Sequence, residues 1–195
     1  MKTLTSILIL ISLWVCPIVS VHKERNLLHN QFKDKTKSLD HLNEWRIKLK
    51  DEFKTTLKNL PDDVKKAIIS DADNVLKTPW EPLLAMTFLE FKINGNRNHF
   101  EGQNFNRRKR LEALVLAELL TEKEQYLNEI ANGIWLIMEE STWTWPAHIG
   151  VQKAGTGLPD PNQWIIDLGA GESSAQVAWV KFLVGKFIYQ IMRSF

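Results

Sequence analysis

The stretch STWTWPAHIG, residues 141–150, places two tryptophans, a proline and a histidine directly after a helical run. A tryptophan side chain has a flat apolar face and a polar N–H, and this combination suits stacking on sugar rings. The predicted stacking residues are Trp143, Trp145 and Trp164. Packing in the core is the alternative for each of them. Trp135 and Trp179 are predicted to be core residues.

One of the five histidines, His148, lies inside this aromatic stretch. Its imidazole could face the carboxylate of a substrate, or it could bond to the backbone of its own loop. No two of the five histidines have metal-ligand spacing, so neither a metal site nor a cofactor is predicted. The run IIDLGAGES, residues 165–173, lacks the third glycine and the βαβ setting of a nucleotide-binding loop.

The charge of the chain is concentrated locally. The formal net charge of +2 requires no particular partner, but Arg107, Arg108, Lys109 and Arg110 form a tight basic run. A solvated helix start is the favoured interpretation of this run, and a site for a polyanion is the alternative. In an exported protein that polyanion would be an acidic polysaccharide rather than nucleic acid.

The N-terminal residues 1–20 have the charge pattern of an export signal, with Lys2 before a short apolar run and a small residue, Ser20, at the cleavage point. We therefore expect a periplasmic or secreted protein with no stable membrane insertion after signal removal. Cys16 lies within the signal, so the mature chain would contain no cysteine and no disulfide. Lipid attachment at Cys16 is the alternative. The sequence does not indicate an oligomeric state.

Apolar residues recur every three or four positions along most of the remaining chain, which predicts an all-α fold. The predicted helices are residues 39–57, 61–76, 83–91, 111–120, 126–140 and 173–187. Their similar lengths predict an α/α hairpin array. We divide the chain into residues 1–20 (signal), 21–60 (an N-terminal helical segment) and 61–195. Residues 93–102 are predicted to be loop, and the long, non-periodic loop 141–172 is predicted to be functional.

Several separated blocks share their order with a known family. They are GNRNHFEGQNFNRRKRLEALVLAELL, NEIANGIWLIMEESTWTWPAHIG, LPDP and IIDLGAGESSAQVAWVKFLVG. With these blocks, residues 79–195 resemble the N-terminal helical region of heparinase II/III-like polysaccharide lyases. The resemblance implies that residues 61–195 form part of an incomplete (α/α) toroid that is truncated at its C-terminus. It also implies β-rich domains after the toroid.

The resemblance further implies β-elimination on uronic-acid-containing glycans. The matched blocks carry over Arg97, the stretch from Trp145 to His148, and Asp167 with Glu172 as candidate substrate contacts. Glu172 could instead stabilise the start of the last helix. The family's catalytic residues come after the matched blocks, so no catalytic residue is assigned to this chain. Gly169 and Gly171 depart from the bulkier residues that the family pattern predicts.

These observations lead to two functional hypotheses. The first is that the chain is the toroid fragment of an exported polysaccharide lyase, inactive alone, whose partner is a heparin-like or other acidic polysaccharide. The second is a noncatalytic glycan-binding remnant. A toroid glycosidase would need two carboxylates in a cleft, and the sequence offers no convincing pair. If the toroid is incomplete, Phe187, Ile188 and Ile191 should be exposed and the isolated chain should aggregate.

Overall fold

The computed structural model describes the backbone of residues 40–193 and the side chains of residues 42–186. The helices of this part are α1 (Asp40–Lys58), α2 (Asp62–Leu76), α3 (Ala85–Asn94), α4 (Asn98–Thr121), α5 (Leu127–Met138), a 3₁₀ turn (Ile149–Val151) and α6 (Leu168–Arg193). Residues 40–193 contain no β-strand, so the predicted all-α class is confirmed for them. The predicted export signal lies outside the described residues, as do the side chains of Phe187, Ile188 and Ile191.

The contacts divide the chain into two units after Lys48. In the first unit, the described side chains of residues 42–48 are all exposed, including Trp45 at 57%. In the second unit, Phe53 and Leu57 from the later part of α1 pack in the main core. Residues 49–60 therefore belong to the same unit as the helices that follow them.

Helix α4 is the centre of the second unit, where it packs against α2, α3, α5 and α6. Its nearly continuous apolar run LEALVLAELL predicted burial on several sides. This is confirmed, since Leu111, Leu114 and Ala117 are fully buried. From α5, Tyr126 just before the helix and Ile130 within it complete the same core. Truncating one buried leucine of such a core to alanine costs about 2–5 kcal/mol.

The predicted start of α4 was wrong. Residues 93–102 were expected to be loop, but α3 ends at Asn94 and α4 already begins at Asn98. Gly95 makes the turn between them possible, because its φ of 79° lies in the left-handed region. The basic run therefore lies in the middle of α4 rather than at a solvated start. Arg107, Arg108 and Arg110 are only 7–8% exposed.

The long connection between α5 and α6 packs as a structural element of its own. Ile149 from its 3₁₀ turn is buried against Phe88 and Phe100, with Ile165 beside them. Thr144 Oγ1 donates to the carbonyl of Ile165 at 2.7 Å and ties the two ends of the loop together. The loop therefore has a small core that can hold side chains in fixed positions.

Gln152 organises the middle of this loop. Its side-chain Nε2 donates to the carbonyls of Gly155 and Leu158 at 2.8 and 2.9 Å. Its Oε1 accepts the N–H of Asp160 at 2.9 Å. The residue is 3% exposed, so these bonds also satisfy its own buried amide.

Candidate functional site

A single carboxylate, that of Asp167, joins the aromatic stretch to the start of α6. Its Oδ2 accepts the backbone N–H of Trp145 at 3.0 Å and lies 2.7 Å from Nδ1 of His148. Its Oδ1 accepts the N–H of Ala170 at 2.8 Å, so Asp167 also caps the first turn of α6. The side chain is only 8% exposed. We call Asp167, Trp145 and His148 the Asp167 cluster.

Within the Asp167 cluster, His148 has one ring nitrogen fixed and the other open. Nδ1 bonds to Asp167, whereas Nε2 has no hydrogen-bond partner among the described residues. The side chain is 34% exposed. Of the two alternatives for this imidazole, the bond to the backbone of its own loop is not observed, because its partner is a carboxylate. A histidine oriented in this way can bind an acid group or transfer a proton at Nε2.

Arg108, which lies in α4, supports the Asp167 cluster. Its guanidinium lies 5.1 Å from the ring centre of Trp145. Nη1 donates to Glu172 at 2.9 Å, and Nη2 donates to the carbonyl of Gly169 and the hydroxyl of Ser173. A buried guanidinium must be paired in this way to offset the loss of water. Arg108 of the basic run therefore provides an internal clamp between α4 and α6.

Trp145 and Trp143 are structural in this arrangement. Trp145 is 5% exposed and packs against Phe105 with ring centres 4.8 Å apart, so neither face is open to a sugar ring. Trp143 is half-buried against the main core, and its indole N–H donates to the carbonyl of Ile137 at 2.8 Å. Their predicted stacking role does not fit these positions, because both indoles close the loop onto the helices.

The other predicted contacts are dispersed. Trp164 is 75% exposed and precedes the half-buried Ile165. Glu172 is held by Arg108 while its side chain stays 59% exposed. Arg97 precedes α4 and pairs with Glu101 at 2.7 Å, and it forms no hydrogen bond or ion pair with the Asp167 cluster. The structure therefore brings Trp145, His148 and Asp167 together and joins Glu172 to them through Arg108.

A cavity of about 690 Å³ lies between α4 and α6, and we call it the α4–α6 groove. Its aromatic lining residues are Phe53, Phe105 and Trp179, and its polar ones are Arg108, Lys109, Glu112, Glu172 and Gln176. Trp179 was predicted to be a core residue, but it is 46% exposed. Trp135 is also exposed, at 59%.

The sequence contained a signal for the α6 wall of the α4–α6 groove. Six of its lining residues follow helical spacing along α6, namely Glu172, Ala175, Gln176, Trp179, Val180 and Leu183. Such spacing places side chains on one face of a helix. What the sequence could not show is that α4 leaves part of this face uncovered.

A second cavity, of about 420 Å³, has a buried ion pair in its wall. Arg107 Nη1 lies 3.2 Å from Oε1 of Glu140, and Asn104 donates to the other oxygen at 3.2 Å. Burial raises the pKa of Glu140 above its ordinary value, although Arg107 and Arg108 lower it. Leu158 and Pro159 of the long loop form the opposite wall. We call this the Glu140 cavity.

Residues 42–186 contain no group of three or more histidine, cysteine, aspartate or glutamate side chains arranged to hold a metal ion. Within the described part of the chain, no helix has both the length and the apolarity that crossing a bilayer requires. No family model matches the chain, and no curated protein sequence matches it significantly. The functional argument therefore depends on the residues themselves.

Proposed function

We propose that this chain is the helical, substrate-binding part of an exported polysaccharide lyase that acts on uronic-acid-containing glycans. In this proposal residues 61–195 belong to an incomplete (α/α) toroid. The hairpin of α4 and α5, and the packing of α4 against four other helices, are compatible with such an arrangement. The chain by itself binds the glycan, and the elimination needs further polypeptide.

One observation carries this proposal: His148 is oriented by Asp167 and leaves Nε2 open. Elimination next to a uronate requires neutralisation of the carboxylate, removal of the neighbouring proton and protonation of the leaving oxygen. An imidazole held by a buried carboxylate suits the first task, and the two proton transfers are left to the further polypeptide. The exposed Trp164, close in sequence to Asp167, adds an apolar surface for a sugar ring.

Cleavage is tested with the complete polypeptide that the gene encodes. It is incubated with heparin-like glycans, alginate and other acidic polysaccharides, and the ultraviolet absorbance of unsaturated uronide products is followed. We expect absorbance to rise with at least one of these glycans. Absence of product from all of them would overturn the lyase assignment.

Binding is tested with the 195-residue chain by affinity electrophoresis in gels that contain the same glycans. His148→Ala should reduce retention of the protein. The matched control is His99→Ala, because His99 also bonds a carboxylate, Glu90, at 2.8 Å but lies at the start of α4. Equal retention of the His148 variant and the wild type would remove His148 from the binding site.

Glycan binding without cleavage is the second candidate function, and the observation that favours it concerns Tyr126, the one tyrosine whose side chain the structure describes. A lyase of the proposed kind can use a tyrosine hydroxyl for proton transfer. Tyr126 is fully buried and donates to Asp73 at 2.7 Å, and burial raises the pKa of this phenol. The described residues therefore offer a glycan contacts for binding but no tyrosine hydroxyl. Retention in the gel without product from the complete polypeptide would establish this second function.

A further inference from the structure

We propose that the α4–α6 groove is a saccharide-binding subsite in which Trp179 stacks on a sugar ring and Lys109 binds the acid group of a uronate. This inference rests on the proposed glycan-binding function. It assigns that function a second location, away from Trp164 and the open face of His148. The occupant is a short oligosaccharide that contains uronic acid.

Trp179 is presented to the groove in a fixed orientation. Its ring centre lies 6.3 Å from that of Phe53, with the two planes tilted by 31°. Phe182 meets it nearly edge-on at 5.7 Å and 72°. These contacts hold the indole while 46% of the residue remains exposed. A rigid, partly open indole provides stacking area at a low cost in side-chain entropy.

The indole N–H of Trp179 is also available. Two tryptophans that are less exposed than Trp179 have their indole N–H groups occupied. Trp80 donates to Glu129 at 2.8 Å, and Trp143 donates to the carbonyl of Ile137. For Trp179, no acceptor is found among the described residues. Its N–H can therefore donate to a hydroxyl of the ligand. A flat face and an adjacent polar donor are the pair of features that a sugar ring uses.

Two charged groups of the groove have unused bonding capacity. Lys109 is exposed and forms no ion pair with a described residue, so its ammonium can bind a carboxylate. Glu172 uses Oε2 for Arg108, and its Oε1 has no partner among the described residues. This oxygen can accept a bond from a sugar hydroxyl. By contrast, Glu112 and Gln176 already bond to each other at 3.2 Å.

The charges of the groove sum to zero, so the groove as a whole does not repel an acidic ligand. Arg108 and Glu172 pair with each other, Glu112 accepts a bond from Gln176, and Lys109 is left for the acid group of the ligand. The cavity of about 690 Å³ falls within the size range of small-molecule sites, and most of its lining is apolar. Arg108 also contacts Trp145, which connects the groove physically to the Asp167 cluster. A glycan in the groove would therefore lie on the same support that holds His148.

The test is isothermal titration calorimetry of the 195-residue chain with two probes, a mannuronate oligosaccharide and a desulfated heparin tetrasaccharide. Trp179→Ala should weaken binding of the probe that binds wild type by about tenfold or more, which corresponds to about 1.4 kcal/mol. The matched control is Trp135→Ala, because Trp135 is also exposed, at 59% against 46% for Trp179, but lines neither the α4–α6 groove nor the Glu140 cavity. Equal effects of these two substitutions would overturn the proposal.

Two further variants keep the test decisive if Trp179→Ala fails to fold. Trp179→Phe preserves an aromatic face and should retain most of the affinity. Lys109→Gln alters an exposed residue and should weaken binding several-fold while making it less sensitive to salt. Unchanged affinity and salt dependence in Lys109→Gln would count against the subsite. Lys181→Gln, at an exposed position of α6, is its matched control.

The possible failures can be distinguished. If wild type binds neither probe in calorimetry and no acidic glycan retards it in gels, the proposed function itself fails. If wild type binds but the groove variants bind equally well, only the subsite fails. A third result would also overturn the subsite: Trp179→Ala converts a dimer to a monomer in sedimentation and leaves glycan affinity unchanged. The groove would then be an interface between two copies.

Discussion

At the scale of single residues, the candidate site depends on groups that hold other groups in place. Asp167 accepts three hydrogen bonds from residues that lie up to 22 positions away, and Arg108 holds Glu172 by donating a hydrogen bond to its carboxylate. Neither Asp167 nor Arg108 is proposed to contact the glycan itself. Each is nevertheless buried and paired, so its removal leaves unpaired polar groups where water has little access.

Asp167→Ala should destabilise the fold by about 2–3 kcal/mol, because it removes the cap of α6 and the bonds to Trp145 and His148. Asp167→Asn should cost about 1 kcal/mol, since asparagine also caps helices. Urea unfolding followed by circular dichroism measures both values. Asp160→Ala, at a half-buried position of the same loop where the carboxylate accepts only the N–H of Asn162, should change stability by about 1 kcal/mol or less. Equal effects at the two aspartates would contradict the anchoring role of Asp167.

Glu140 makes the free energy of unfolding depend on pH, and the direction of this dependence follows from its raised pKa. Burial raises its pKa in the folded chain above the ordinary value of 4.5, against the opposing charges of Arg107 and Arg108. The folded state therefore holds this proton to higher pH than the unfolded state does. The stability that Glu140 contributes is fully present below its unfolded pKa and is lost as the pH rises through its folded pKa.

We therefore expect the stability of wild type relative to Glu140→Gln to fall as the pH rises from below 4.5 towards neutrality. Urea unfolding at a series of pH values measures this difference. The same series on Glu139→Gln, at the exposed neighbouring position, is the matched control. A difference between wild type and Glu140→Gln that stays constant or grows with pH would show that burial does not dominate at Glu140.

At the scale of elements, sequence periodicity predicted the positions of α1, α2, α3 and α5 but not the start of α4. Residues 98–110, which begin α4, are mostly polar or charged, and such a composition usually indicates solvent. Here Arg107 and Arg108 find their acidic partners 33 and 64 positions away, in the loop and in α6. No local pattern can show such a pairing. Burial of these charges is decided by tertiary contacts.

The exposure of the tryptophans is also decided by tertiary contacts rather than by local sequence. Trp143 and Trp145 lie in a polar, proline-containing loop, which indicated exposure, whereas Trp179 lies in an apolar helix, which indicated burial. The structure reverses both because the loop folds onto α4 and α6, while α4 leaves one side of α6 uncovered. The sequence therefore shows that the region is rich in tryptophan, but it does not show which indoles remain exposed in the fold.

Two glycines at the start of α6 should respond to alanine with opposite signs. A Cβ at Gly169 would lie 2.6 Å from the carbonyl oxygen of Trp143 and closer still to the ring of Trp145. Gly169→Ala should therefore cost about 1–3 kcal/mol. A Cβ at Gly171 meets nothing within 4 Å, and Gly171→Ala should stabilise the helix by about 0.5–1 kcal/mol. Thermal unfolding compares the two variants, and the same sign for both would contradict this packing.

At the scale of the whole molecule, the described part of the second unit is built around one helix. Helix α4 contributes to the main core, to the ion pair of the Glu140 cavity and to the clamp beneath the Asp167 cluster. The long loop packs Ile149 against Phe88 of α3 and Phe100 of α4 and is joined to α6 through Asp167. Local opening of the loop can therefore occur while α4 remains folded, whereas opening of α4 must disrupt every neighbouring helix.

Hydrogen exchange should reveal this hierarchy. We expect the backbone amides of residues 107–119 to exchange most slowly within residues 49–186, because the interior of α4 is exposed to water only when the whole unit unfolds. Amides of residues 153–164, whose side chains are mostly exposed or half-buried, should exchange much faster through local opening. Mass spectrometry of peptides from a deuteration time course measures both. Longer protection of residues 62–76 in α2 than of α4 would show that α4 is not the centre of the unit. The hydrogen bonds of Arg108 to α6 would then hold α4 and the Asp167 cluster less firmly than their distances imply.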